Sequence, residues 1–373
     1  MTGVGACTPL GADLDTTWAR LLAGDCAAQR HDDLAELALS TDVACRVPGM
    51  SSVEATHRGR RLARGAVAAA VADADVSIPP GVGVFVGTTM GESGAFEAHR
   101  GGGVPTDATA DVFARALADE LGATGPTRTF GAACAAGNYA IGSAAAAIRR
   151  GRADVVIAGG VEPFSLIAMV GFARMRAMTH DRCRPFAADR RGMQLGEGAA
   201  FLVLESADHA RRRGAKALAR VGRLGLSCDA HHPTRPLAGG EGMAVAMTAS
   251  IERSGLDPSD IGWVNTHGTG TPASDAAESA ALKIAFGPQP PPITACKGAL
   301  GHSLGAATAI EAAITIRALE AAAIPPTANV EASDPALGVD LVTRPRSAPT
   351  QTWVLNCGYA FGGLNSALTL GTP

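Results

Sequence analysis

A lone cysteine stands among alanines and glycines at residues 131–137, Gly-Ala-Ala-Cys-Ala-Ala-Gly, with a long run of small residues behind it. Two histidines sit in similarly glycine-rich surroundings. His267 lies within Val264-Asn-Thr-His-Gly-Thr-Gly-Thr271, and His302 closes Cys296-Lys-Gly-Ala-Leu-Gly-His302, five residues after Lys297. A thiol, two imidazoles and an ammonium are the groups of nucleophilic and general acid–base chemistry. Cys134 opens a helical stretch, so unpaired N–H groups and the positive end of the helix dipole are expected to lower its pKa from about 8.5 by one to several units. Alone, Cys134 reads equally well as a small buried apolar residue. Three such residues, each at the glycine-rich exit of a strand, point to one site.

The elements that must position them follow from the apolar pattern. Val82–Val86, Thr127–Phe130, Asp154–Ala158, Ala200–Leu204, Gly262–Asn265 and Pro292–Ala295 read as strands. Alanine-rich helices are expected at Gly59–Ala74, Thr109–Leu121, Asn138–Arg150, Gly240–Ser254, Ala276–Phe286 and Gly305–Ala322. Buried strands alternating with helices imply an α/β fold with helices covering sheets. An internal echo appears when Cys134 is laid over His302: glycine follows at the same distance (Gly137, Gly305), and Ile-Arg further on (Ile148-Arg149, Ile316-Arg317). So much alanine can produce such a match by chance; the other reading is a duplicated unit using the same helix twice.

Composition excludes several classes. The chain has 373 residues, 47% of them hydrophobic, enough for a large core, and a formal charge of −3, which offers nucleic acid or an anionic membrane no electrostatic attraction. Eight cysteines without a C-x-x-C pair suggest reduced thiols in the cytoplasm rather than disulfides or zinc. The most apolar stretch, Ala153–Ala173, contains Asp154, Glu162 and Pro163 and does not qualify as a membrane span. Lysine is rare: Lys216, Lys283 and Lys297 stand among 32 basic residues that are otherwise arginine, which makes Lys297 conspicuous in its apolar setting.

Taken in order, Ala133-Cys134-Ala-Ala-Gly137, Arg184-Pro-Phe186 with Gly196-Glu-Gly198, His267-Gly-Thr-Gly-Thr271, Lys297 with Gly301-His302, and Phe361-Gly-Gly363 with Asn365 resemble the elongating β-ketoacyl-(acyl carrier protein) synthases of fatty-acid and polyketide pathways. The resemblance spans nearly the whole chain. It implies the thiolase fold: two duplicated α/β halves, here 1–205 with the cysteine and 206–373 with both histidines, layered α-β-α-β-α. It also implies the chemistry. Cys134 would accept an acyl group from a carrier-protein thioester. His267 and His302 would hydrogen-bond the thioester oxygen of a malonyl-type extender during decarboxylation, and the carbanion would attack the acyl-cysteine. The backbone N–H groups of Cys134 and Phe361 would form the oxyanion hole. Lys297 would polarise the site with Glu311 as its partner, since a lone carboxylate in an alanine-rich helix is costly. Thr269 and Thr271 would contact the extender or its phosphopantetheine arm, and Asp275 and Glu278 are read as structural support rather than catalysts. No cofactor or metal is implied beyond that arm.

Met90 is expected to wall the acyl pocket, with Tyr359 and Phe361 facing the substrate, and His231 and His232 to be structural. Glu92 stands where the family usually has a small residue. Tyr359 and Ala360 replace a phenylalanine and a glycine of the gating loop, and alanine there is expected to restrict loop movement. Thr2-Gly-Val-Gly5 reads as the family's opening turn with almost nothing before it, so either the native chain starts further upstream or the first strand is missing. Carrier proteins are acidic, and Arg58, Arg60, Arg61 and Arg64 lie at helical spacing on a segment resembling the docking helix; a solvated helix face explains them equally well. The family forms homodimers, or heterodimers with a ketosynthase-like chain-length-factor subunit. Such a silent or partner-dependent subunit, which typically lacks the cysteine, and a non-elongating acyltransferase are the rival readings for this chain.

Overall fold

The computed structural model describes residues 1–50, 57–99, 109 and 111–373. Ten strands form two sheets: β1 (Gly3–Cys7), β2 (Gly83–Gly87), β3 (Thr127–Phe130), β4 (Val155–Glu162), β5 (Gly198–Glu205), β6 (Arg220–Cys228), β7 (Ile261–Asn265), β8 (Ile293–Thr294), β9 (Trp353–Ala360) and β10 (Leu364–Gly371). The first sheet runs β1-β5-β4-β2-β3 and the second β6-β10-β9-β7-β8. Each begins with two antiparallel pairings and ends with two parallel ones. The second half therefore repeats the order and direction of the first, five strands later.

Helices α1 (Arg58–Ala74) and α2 (Val112–Glu120) cover the outer face of the first sheet. Helices α5 (Glu241–Arg253) and α6 (Pro272–Phe286) cover the outer face of the second. Between the sheets lie α3 (Ala136–Arg149) and α7 (Ala307–Ala321), completing the α-β-α-β-α layering. A helix caught between two sheets is buried nearly all round, which is why α7 carries no polar stripe and α3 is largely alanine and glycine. The two inner helices touch: a Cβ on Gly137 would lie 2.6 Å from the Ala309 nitrogen, so only glycine fits there. Asn138 N donates to Thr308 Oγ1 at 2.9 Å, and the buried amides of Asn138 and Asn356 bond each other at 2.9 Å, joining the halves.

Several expectations change. The opening residues are not a turn preceded by nothing: Gly3–Cys7 is itself edge strand β1, paired antiparallel to β5, so the first strand is present. The internal echo is structural, but in another register. Ala133 (φ 46°) and Leu304 (φ 43°) each open a tight helical turn, followed by α3 at Ala136 and α7 at Ala307. The repeat thus matches Cys134 to Gly305, and His302 precedes the second turn. Of the glycine-rich tail read as a gating loop, Asn356–Ala360 belongs to β9, and the turn is Phe361–Gly363. Ala360 has an ordinary extended φ of −121°, so alanine is unstrained in this conformation. Ala153–Ala173 is largely β4 followed by helix α4 (Leu166–Arg174), which the apolar pattern did not separate. Among the described residues no helix is long and apolar enough to cross a membrane.

Arg58 is not on a docking face. It is buried, with Nε and a terminal nitrogen 2.6 and 2.5 Å from the Glu197 carboxylate, which also accepts the N–H groups of Val47 and Phe164. Arg58→Met leaves that carboxylate buried without its cation and should cost about 3–5 kcal/mol, read as a lower denaturation midpoint. The exposed substitution Arg152→Met should stay within about 0.5 kcal/mol. Equal effects from the two would refute a structural role for the buried pair.

Candidate active site

Strand β3 delivers the chain to Ala133, whose left-handed conformation turns it sharply into α3 and leaves Cys134 at the turn. A non-glycine residue in that region costs about 1–2 kcal/mol and persists only where its surroundings hold it. Cys134 is buried, and its Sγ lies 3.0 Å from His302 Nε2. Burial pushes the thiol up to about 12, with Lys297 opposing and Glu162 adding to the rise. The expected lowering by the helix terminus is therefore overturned. Removing a thiolate from water outweighs the partial charges of a helix end.

His267 leaves β7 into a loop whose Gly268 and Gly270 adopt φ of 41° and 75°. Two carboxylates of α6 reach back to hold it. Glu278 accepts His267 N and Gly268 N at 2.8 and 2.9 Å, while Asp275 accepts Gly270 N and Phe186 N at 3.1 and 2.8 Å. Burial pushes Glu278 up to about 8 and Asp275 up to about 7. Neither faces the cleft; both shape the loop. The His267 and His302 rings meet edge to face at 5.2 Å. Burial, then the nearby Lys297 charge, holds both imidazoles well below their usual pKa, so both are neutral.

Lys297 Nζ lies 2.5 Å from Glu311 Oε1, both side chains buried. Burial pushes the Glu311 carboxyl up to about 7 against this attraction. Lys297 does not line the cleft. It stands behind the histidines and acts on them through its field.

The cleft itself, about 500 Å³, is lined by Cys134, His267, His302, Thr269, Thr271 and Tyr359, among others. Thr269 and Thr271 hydroxyls lie 3.0 Å apart, and the Tyr359 ring stands 5.9 Å from that of His267. Phe361 is 39% exposed at the mouth, its ring 5.7 Å from Phe172. Met90 does not line this cleft; it packs with the apolar side chains around Cys134. Glu92 is fully buried and accepts Gly59 N and Arg60 N at 2.8 and 2.9 Å, tying down the start of α1 rather than shaping a pocket. His232 Nδ1 accepts the Thr234 and Arg235 N–H groups, a structural role, and His231 is exposed beside it. Arg60, Arg61 and Arg64 lie on α1 outside the cleft, with Arg64 bound to Glu120 at 2.6 Å.

Two features escaped the sequence reading. Exposed Arg176, Arg191 and Arg235 come from separate segments to rim the cleft. Buried Glu162 accepts Thr89 N, Met90 N and Gly305 N at 2.7 to 2.8 Å, binding the loop after β2 to the turn before α7. A carboxylate ending the otherwise apolar strand Val155–Glu162 was the signal for the second. No signal in one sequence gathers the three arginines.

A neutral thiol beside a neutral imidazole makes a prediction. Alkylation of Cys134 by iodoacetamide, followed by intact mass, should accelerate continuously from pH 6 to beyond pH 9. A rate plateau near neutrality would reveal a thiolate–imidazolium pair and overturn this electrostatic picture.

Residues 1–210 match the family described as Beta-ketoacyl synthase, N-terminal domain, and residues 218–331 match Beta-ketoacyl synthase, C-terminal domain. The mitochondrial 3-oxoacyl-[acyl-carrier-protein] synthase of Arabidopsis thaliana is 33% identical over 99% of this chain and 92% of its own. Among solved structures, the ishigamide ketosynthase/chain length factor superposes with a TM-score of 0.92 at 34% identity, covering 100% of this chain and 98% of the other. A type II polyketide synthase acyl-carrier protein complexed with its ketosynthase bound to the hexaketide gives 0.93 at 25% identity over the same shares. With the thiolase fold, the Cys134–His302 contact and the His267–His302 pair in one cleft, the chain belongs to the β-ketoacyl synthase family, the ketosynthases of fatty-acid and polyketide synthesis.

Proposed function

We propose that this chain is an acyltransferase that elongates acyl chains by decarboxylative condensation, working in the cytoplasm on substrates carried by an acyl carrier protein. The observation that carries the reading is the 3.0 Å contact between Cys134 Sγ and His302 Nε2 at a cleft shared with His267. Cys134 attacks the carbonyl of an acyl thioester, His302 taking the thiol proton and returning it to the departing pantetheine thiol. This answers the high thiol pKa: deprotonation is coupled to attack, not completed beforehand.

A malonyl thioester then occupies the cleft. As its carboxylate leaves as carbon dioxide, charge gathers on the thioester oxygen, where neutral His267 and His302 each donate a hydrogen bond, His302 from Nε2 once its ring proton has moved there from Nδ1. Neutrality suits donors that must not lose a proton, and Lys297 favours it by making imidazolium costly. The carbanion attacks the acyl-cysteine. The acyl oxygen takes up negative charge against the N–H groups of Cys134 and Phe361, and the Cys134 thiolate leaves, giving a β-ketoacyl thioester two carbons longer. Thr269 and Thr271 stand where the extender or pantetheine arm would lie. No cofactor enters beyond that arm.

The intact nucleophile favours this reading over a silent chain-length-factor-like subunit. Assembly as a homodimer, or with a ketosynthase-like partner as in the ishigamide pair, belongs to the same proposal. So does docking of an acidic carrier protein. The solved carrier–ketosynthase complex supports it, as do the arginines rimming the cleft, with Arg60, Arg61 and Arg64 as a second basic face.

Mixing the protein with acyl- and malonyl-loaded carrier protein should add an acyl mass to the wild type and return a carrier species two carbons heavier. Cys134→Ala should do neither. An unmodified wild-type Cys134 sinks the elongating reading. The double change Arg176→Glu, Arg191→Glu should lower turnover of carrier-bound substrate at least about tenfold at low salt while leaving acylation by a small pantetheine thioester within about twofold; equal losses on both would point to a damaged site rather than a docking surface.

A further inference from the structure

The two halves meet at two junctions of the same build. At the reactive one, the turn Ala133–Ala135 packs on the end of β9, and the N–H groups of Cys134 and Phe361 are the donors proposed for the acyl oxygen. At its counterpart, the turn Leu304–Ala306 packs on the end of β4, which holds the place in the first sheet that β9 holds in the second. Glycine allows both approaches: a Cβ on Gly160 would lie 3.0 Å from Ala306 Cα, and one on Gly358 would lie 3.4 Å from Ala135 Cα. Gly305 therefore corresponds to Cys134, and Glu162, the last residue of β4, to Ala360, the last residue of β9. No thiol fits the counterpart, because a Cβ on Gly305 would lie 2.5 Å from Thr89 N. It holds instead the fully buried Glu162 carboxylate. Oε2 accepts Gly305 N and Thr89 N at 2.8 and 2.7 Å, while Oε1 accepts Met90 N at 2.8 Å and the Thr88 hydroxyl at 3.2 Å.

We infer that the fold contains a second carboxylate-binding site, the counterpart of the oxyanion hole, which the protein fills with its own Glu162 to hold His302 against Cys134. Glu162 is a positioning residue, since it touches no reacting atom. That role rests on the proposed condensing function; the carboxylate site itself does not. Without the carboxylate, three buried backbone N–H groups lose their acceptor. The turn they would release begins two residues after His302, whose Nε2 lies 3.0 Å from the Cys134 sulfur. A misplacement of about 1 Å at such a contact can cost of the order of a hundredfold in rate. An anion suits the place better than a neutral acceptor, because Gly305 N lies at the entry to α7, the positive end of that helix.

The test uses the full-length protein at pH 8, above the value of about 7 to which burial pushes the Glu162 carboxyl. Glu162→Ala vacates the site and leaves room for formate but not for the bulkier pivalate. Two quantities are read: acylation of Cys134 by hexanoyl-pantetheine, followed by intact mass, and the thermal midpoint. Glu162→Ala should slow acylation at least about tenfold. Formate should restore at least about a third of the lost rate and raise the variant's midpoint, both saturably, while pivalate does neither. The wild type should respond to neither anion. Acylation by Glu162→Ala within about twofold of wild type, or a slowed variant that formate neither speeds nor stabilises, overturns the inference. A midpoint that rises with formate while the rate stays low overturns the positioning of His302. Should Glu162→Ala fail to fold even in formate, Glu162→Gln decides: equal in shape but uncharged, it should slow acylation at least about threefold, and a smaller loss overturns the inference. A wild type that is never acylated removes the condensing function, and the formate dependence of the Glu162→Ala midpoint then still decides the carboxylate site.

Discussion

Everything at the site depends on how closely α3 and α7 can approach. Gly137 lies against the Ala309 backbone, and Thr308 receives the Asn138 N–H. That contact sets the turns at Ala133 and Leu304 side by side, so residues far apart in sequence meet at 3.0 Å. A larger side chain at Gly137 would separate the helices and, with them, sulfur and imidazole. The two sheets then serve as clamps, with both inner helices packed against each of them. Packed interiors admit few alternative arrangements, which makes such a junction a rigid platform for chemistry.

Burial is the second organising influence. It keeps the Cys134 thiol protonated, both imidazoles neutral and the supporting carboxyls high. The supporting carboxylates are not left alone: Glu278, Asp275 and Glu162 each collect backbone N–H groups from loops that would otherwise lack partners. They fix loop shape in a part of the molecule where glycines leave the chain free to wander. Lys297 and Glu311 form the one ion pair directly behind the histidines among the described residues, and removing either would leave a buried charge unpaired.

The cleft gathers both kinds of surface around one sulfur atom, hydroxyls and guanidinium groups from some segments and aromatic and thioether side chains from others. The repeat explains how a duplicated fold builds an asymmetric site. Equivalent helices open on equivalent turns, yet the cysteine and the histidine occupy non-equivalent positions beside those turns, so each half contributes a different group.

By itself the sequence determined the fold class and marked the cysteine and histidines that meet at the cleft. Both are written in local patterns: strand–glycine–helix junctions around Cys134 and His267, and lysine in a chain that prefers arginine. The pairing of Lys297 with Glu311 was legible too, because an apolar helix cannot hold a lone carboxylate. Other properties belong to the tertiary structure alone. The register of the repeat shifted because alanine-rich composition matches itself at several offsets, while a positive φ at Ala133 and Leu304 matches at one. The thiol's pKa reversed because helix position is local but desolvation is set by what packs around the residue. Arg58 and Glu92 read as surface and pocket residues and proved to be buried, Arg58 in an ion pair with Glu197 and Glu92 on the backbone of α1, since their partners lie on distant segments. The arginines at the cleft mouth likewise come together only when the chain folds. Periodicity reports which face a residue occupies within its own element; only packing decides which other element that face meets.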